Sequence, residues 1–174
     1  MAEERKGAVT MRGNPMTLLG PEIKAGQKAP EFHSVDKGLA PIGLDKFKGK
    51  VKVISVIPSI DTPVCDAQTR RFNEEASKLG DVQILTVSMD LPFAQARWCG
   101  AAGVDKITMI SDFRDPHDFG NKYGVLIKEL GLLARAVFVV DKNDNVTHAE
   151  YVKEVASHPD YDATLAAARK AAAA

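Results

Sequence analysis

Apolar and polar positions along this chain change their period several times, and each change marks an element. Residues 51–57 form an apolar, β-rich segment that reads as a buried strand. Pro58 lacks the N–H that a ladder needs, so it marks the strand's end. Thr62 suits a helix N-cap and Pro63 the first helical position. Cys65 then falls at the third helical position. Good helix formers follow, and Gly80 ends the predicted helix after Leu79. Residues 83–88 read as a second strand. Pro92 opens a helix through Trp98 to Cys99, closed near Gly100 or Gly103. Residues 107–110 predict a short strand and 115–123 a short helical piece. Residues 136–140 are another buried strand, and the turn at 141–145 folds residues 146–152 back against it. Residues 160–170 predict a closing amphipathic helix. Near the start, residues 8–19 predict a hairpin, with Gly13-Asn14-Pro15 as its turn.

Composition narrows the classes without choosing among them. A chain of 174 residues with no internal repeat or low-complexity linker implies one domain, residues 1–174. Lys plus Arg (23) balances Asp plus Glu (23), so no overall field points to nucleic acid or a membrane surface. No run approaches the ~18 apolar residues that cross a bilayer. The charged residues 1–6 do not read as a secretory signal, so the expected location is cytoplasmic. The two cysteines, Cys65 and Cys99, make no Cys-x-x-Cys; in a reducing compartment such thiols are more often catalytic or unpaired than structural. His33, His117, His148 and His158 lack ligand spacing, and no phosphate loop or dinucleotide fingerprint occurs. Neither a metal nor an organic cofactor is expected.

Candidate chemistry centres on Cys65. The first turn of a helix offers free backbone N–H groups and the positive end of the helix dipole, which favour a thiolate. The competing reading is a small buried core residue. Cys99 reads equally well as a packed neighbour of Trp98, and Arg135 as a solvated flank of the strand it precedes. Phe93, Trp98 and Phe119 read as core packing.

Pro58, Thr62 and Cys65 match the Pro-x-x-x-Thr-x-x-Cys signature of peroxiredoxins, and Ser59-Ile60-Asp61-Thr62-Pro63-Val64-Cys65 resembles their thiol peroxidase branch, the atypical two-cysteine type. Gly26-Gln27-Lys28-Ala29-Pro30-Glu31-Phe32 resembles the family's entry segment, and the segment 131–138 the one whose Arg faces the reactive sulfur. The resemblance covers nearly the whole chain. With the element order above, it implies an α/β, thioredoxin-like fold: a mixed central sheet flanked by helices, with an N-terminal β-hairpin. It also implies a thiol-dependent peroxidase acting on hydrogen peroxide and organic hydroperoxides. Cys65 would be peroxidatic, Cys99 resolving through a Cys65–Cys99 disulfide, and Pro58, Thr62 and Arg135 would shape the site. Thioredoxin as reductant and a homodimer follow from the same resemblance.

Ionisation alone does not explain such an activity. A free thiol is roughly 3% ionised at pH 7, so near-complete ionisation gains ~30-fold. The accompanying fall in nucleophilicity takes back ~10-fold. Donors to the breaking O–O bond are needed as well. The candidates are the Thr62 hydroxyl, the Cys65 backbone N–H and Arg135. Two further functions remain open on the residues: a disulfide oxidoreductase, disfavoured by the missing Cys-x-x-Cys, and a non-catalytic binding module.

Overall fold

The computed structural model describes residues 2–174. Its strands, in chain order, are β1 (Glu4–Met11), β2 (Asn14–Leu19), β3 (Ser34–Asp36), β4 (Pro41–Ile42), β5 (Val51–Val56), β6 (Val82–Ser88), β7 (Thr108–Ser111), β8 (Leu126–Ile127), β9 (Leu132–Leu133), β10 (Ala136–Val140) and β11 (Val146–Tyr151). The α-helices are α1 (Pro63–Ala76), α2 (Pro92–Ala102), α3 (Asp118–Lys122) and α4 (Tyr161–Ala173).

Seven strands form a mixed sheet in the order β11-β10-β5-β6-β7-β3-β4. β5, β6 and β7 run parallel, joined by crossovers through α1 and α2. β10 and β11 are antiparallel additions on one side, and β3 and β4 on the other. β1 and β2 pair with β8 and β9 in a separate antiparallel sheet.

Period-2 geometry divides β5 between two cores even though the whole strand is buried. Val53 joins Phe72 of α1 and Leu165 and Ala168 of α4 on one face. Ile54 and Val56 join Phe32, Phe119, Tyr123 and Phe138 on the other. A third cluster collects Ile57, Ile60, Cys65, Trp98, Cys99, Val104 and Met109, and brings both cysteines into one apolar neighbourhood.

Several boundaries differ from the sequence expectation for local reasons. α1 ends at Ala76, because the chain tightens into three-residue turns: Lys78 N donates to Glu75 O and Leu79 N to Ala76 O. α3 begins at Asp118, not near 115, since His117 is left-handed (φ 56°) and the Asp112 carboxylate accepts from Phe119 N and Gly120 N. The hairpin turns at Arg12-Gly13, both at positive φ, which suits the twist of its strands; Asn14 and Pro15 already belong to β2. Phe93 is 65% exposed and so, unlike the buried Trp98 and Phe119, is not a core residue.

Candidate active site

The helix that carries Cys65 starts where its sequence says it should. Thr62 is the N-cap in extended geometry and Pro63 opens the first turn. Cys65, Gln68, Thr69, Phe72, Glu75 and Ala76 are buried, a 3.6-residue stripe that seats α1 on the sheet with Cys65 at its inner end. Pro58 is buried at the end of β5. The Asp90 carboxylate accepts from Ser59 Oγ (2.8 Å), Ile60 N (2.7 Å) and Ser88 Oγ (2.7 Å), and so holds the loop leading into the helix.

Arg135 immediately precedes β10 and is 2% exposed. Its guanidinium donates from Nη2 to Cys65 Sγ (3.3 Å), from Nη1 to Gln68 Oε1 (2.8 Å) and from Nε to Val155 O (2.8 Å). Among the described residues it makes no ion pair with a carboxylate. A buried cation normally needs a compensating anion. Here the acceptors are an amide, a carbonyl and one sulfur, and only the sulfur can carry the balancing charge. Gln68 in turn donates from Nε2 to Ser55 Oγ (2.8 Å) on β5.

The same arginine is tied to the N-terminal hairpin. Val152 N donates to Arg135 O and Val155 N to Thr10 O. The Glu154 carboxylate accepts from Thr10 Oγ1 (2.7 Å), Arg12 N (2.9 Å), Gly13 N (3.0 Å) and Ala156 N (3.1 Å). These donors, Gly13 N foremost, pull its carboxyl down to about 2.

The Cys65 backbone N–H is not free as the sequence suggests. It donates to Thr62 Oγ1, and the Thr62 hydroxyl donates to Ser59 O, both at 3.4 Å. Bonds that long are weak, so both donors can be turned to another acceptor at little expense.

Cys99 lies in the last turn of α2, where its carbonyl accepts from Gly103 N and from Val104 N (3.1 Å). Both cysteines are free thiols. Burial pushes the Cys99 thiol up, with the Lys37 charge a smaller opposing influence. Cys65 is wholly enclosed, whereas an open groove of about 380 Å³ beside Lys37, Ala96, Gly100 and Asp105 reaches Cys99.

Hydrogen bonds thus join Cys65 to Arg135 and to Thr62, Pro58 is buried in the segment leading to them, and Cys99 shares the apolar cluster of Cys65. Sequence reasoning missed Gln68, Ser55, Val155, Glu154 and Asp90. Ser55 is a polar residue in an apolar strand, and Gln68 sits three residues after Cys65 on the same helix face; those were legible signals. Val155 acts through its carbonyl, which leaves no trace in residue type.

Comparison with known proteins agrees with this geometry. The family model described as Redoxin matches residues 24–165. The chain is 58% identical to the thiol peroxidase of Halalkalibacterium halodurans, over 94% of this chain and 98% of that protein. It is also 58% identical to the thiol peroxidase of Bacillus subtilis, over 92% and 96%. Among solved structures, a peroxiredoxin-like protein from Aquifex aeolicus superposes with a TM-score of 0.87 at 41% identity, covering 97% and 98% of the two chains. Thiol peroxidase from Chromobacterium violaceum shares the fold at a TM-score of 0.82 and 24% identity, over 89% and 91%. With its buried Cys65–Arg135 pair on a redoxin framework, the chain belongs to the redoxin family, among the thiol peroxidases.

Proposed function

We propose that this redoxin-family enzyme reduces peroxides with Cys65 as the peroxidatic nucleophile and Cys99 as the resolving thiol. The observation that carries the reading is the buried Arg135 guanidinium, 3.3 Å from Cys65 Sγ and without a carboxylate partner among the described residues. A cation fixed there by Gln68 and Val155 stabilises charge on sulfur before the reaction and charge on the peroxide oxygens during it.

The Cys65 thiolate attacks one peroxide oxygen. The S–O bond forms as the O–O bond breaks, and the leaving oxygen takes a proton to become water or an alcohol. Arg135 and the Thr62 hydroxyl are the donors that meet the oxygens, and Pro58 shields the sulfur. Cys65 is left as a sulfenic acid, oxidised by two electrons. The Cys99 sulfur then displaces its oxygen; the Cys99 proton leaves with it as water and a Cys65–Cys99 disulfide remains. A thioredoxin-type dithiol returns two electrons and two protons. The groove at Cys99 supports attack from that side. A homodimer and a cytosolic setting, which keeps both thiols reduced, complete the reading.

Intact-mass measurement after one equivalent of an organic hydroperoxide, followed by alkylation, tests it. A loss of two hydrogens, no alkylation and a monomeric mass is expected. Two alkylatable thiols would remove the peroxidase reading. A Cys65 sulfenic acid without a disulfide would reduce Cys99 to packing.

A further inference from the structure

We infer that Trp98 and Asp66 form a latch between the two cysteine-bearing helices, a positioning pair that sets how fast the Cys65–Cys99 disulfide closes. The inference rests on the proposed pairing of these cysteines and deepens it.

Asp66 follows Cys65 and Trp98 precedes Cys99, so each partner is the chain neighbour of a reacting residue. Trp98 Nε1 donates to Asp66 Oδ1 at 2.9 Å. The other carboxylate oxygen accepts from Arg70 Nε at 2.9 Å. The Arg70 guanidinium lies over the Trp98 ring, 5.4 Å from its centroid, and reaches Ala102 O at 3.4 Å. These three side chains therefore bind the N-terminal half of α1 to the C-terminal half of α2. Trp98 is itself buried, so its indole N–H has little access to water if the bond breaks in place.

Cys65 Sγ is enclosed and bonded to Arg135, while Cys99 is held by the cap at the end of α2. Both are separate thiols, and an S–S bond is only ~2.05 Å long. To meet, at least one turn must loosen, and a turn that carries Asp66 or Trp98 with it breaks their bond. The latch holds the arrangement that reacts with peroxide and slows the one that closes the disulfide. The delay has a chemical consequence. A sulfenic acid that waits meets a second peroxide, which transfers one oxygen to give a sulfinic acid and leaves as water or alcohol.

The test compares Trp98→Phe and Asp66→Ala with the parent enzyme. Each is mixed with one equivalent of hydrogen peroxide, quenched with an alkylating agent over a time course, and read by intact mass. Trp98→Phe keeps an apolar ring and the helix's acidic first turn; it stands alone if Asp66→Ala does not fold. The expected result is disulfide closure about 5- to 10-fold faster, the scale of one hydrogen bond to a charged group at a half-exposed site. Sulfenic acid formation should stay within about 3-fold, and the sulfinic fraction at excess peroxide should fall in proportion. A merely structural role would lower stability without separating these two steps. Closure that is unchanged or slower in the folded variants overturns the latch. A parent enzyme that forms no disulfide overturns the pairing beneath it, and the parent's own mass distinguishes that result.

Discussion

Gln68→Met examines whether Arg135 acts as an oriented donor or only as a nearby charge. Methionine approximates the volume of glutamine, so packing is largely kept while both polar bonds go. One of those bonds, 2.8 Å from Arg135 Nη1, involves a charged group; the other, 2.8 Å to Ser55 Oγ, is neutral. Gln68, Ser55 and Arg135 are all buried, so water does not replace what is lost. A hydrogen bond to a charged group contributes ~1.5–3 kcal/mol and a neutral one ~1, which puts the stability loss at about 2.5–4 kcal/mol. If the whole charged bond also served to aim the guanidinium at the transition state, the rate would fall between about 10- and 150-fold. Val155 O still anchors Nε at 2.8 Å, so the lower end, about 10-fold, is expected. The assay is the second-order rate constant for sulfenic acid formation at 25 °C, measured beside urea unfolding. Arg135→Met supplies the second arm of a double-mutant cycle. Adding Gln68→Met to it should slow the peroxide step no further, because the group being aimed is gone. A Gln68→Met enzyme that loses stability yet reacts within twofold of the parent would refute the reasoning and leave Gln68 a structural residue.

Other expectations follow from the same contacts. Cys99→Ser should react once with peroxide at the parent rate but lose turnover with a thioredoxin system; sustained recycling would rule out the resolving role. Thr62→Val removes the cap hydroxyl, and because its bond to Cys65 N is stretched to 3.4 Å the stability loss should be small, about 0.5 kcal/mol, while the peroxide step slows; Thr62→Ser should restore the rate. Glu154 titrates at about 2 when folded against 4.5 in a free chain, so its contribution is present above about 4.5 and is lost as pH falls toward 2. Chemical unfolding at stepped pH should therefore show Glu154→Gln equally acid-sensitive in every respect except that increment, and identical curves for the two proteins would discard it.

Much of this protein was decided within a few residues of chain. Thr62, Pro63 and Cys65 place a cysteine in the first turn of a helix because capping is a contact across three positions. The buried stripe of α1 and the strand at residues 51–57 are likewise legible, since period and propensity are properties of a short window. The Arg12-Gly13 turn and the start of α3 were misplaced by a few residues, because positive φ at Arg12 and His117 is not written in residue type. β3, β4, β8 and β9, two or three residues each, are too short to show a period at all.

What the sequence by itself did not decide is everything that joins distant segments. Arg135 meets Cys65 across 70 positions, and only resemblance suggested it. The contact exists because β10 pairs antiparallel with β5, which sets the residue before β10 beside the helix that leaves β5. The same packing puts Gln68 against Ser55, aims the Val155 carbonyl at Nε and joins Trp98 to Asp66. Strand order and register are settled by the burial of whole faces. Which polar groups then meet inside follows from the tertiary structure, because each buried donor must find its acceptor wherever the packed chain has carried one.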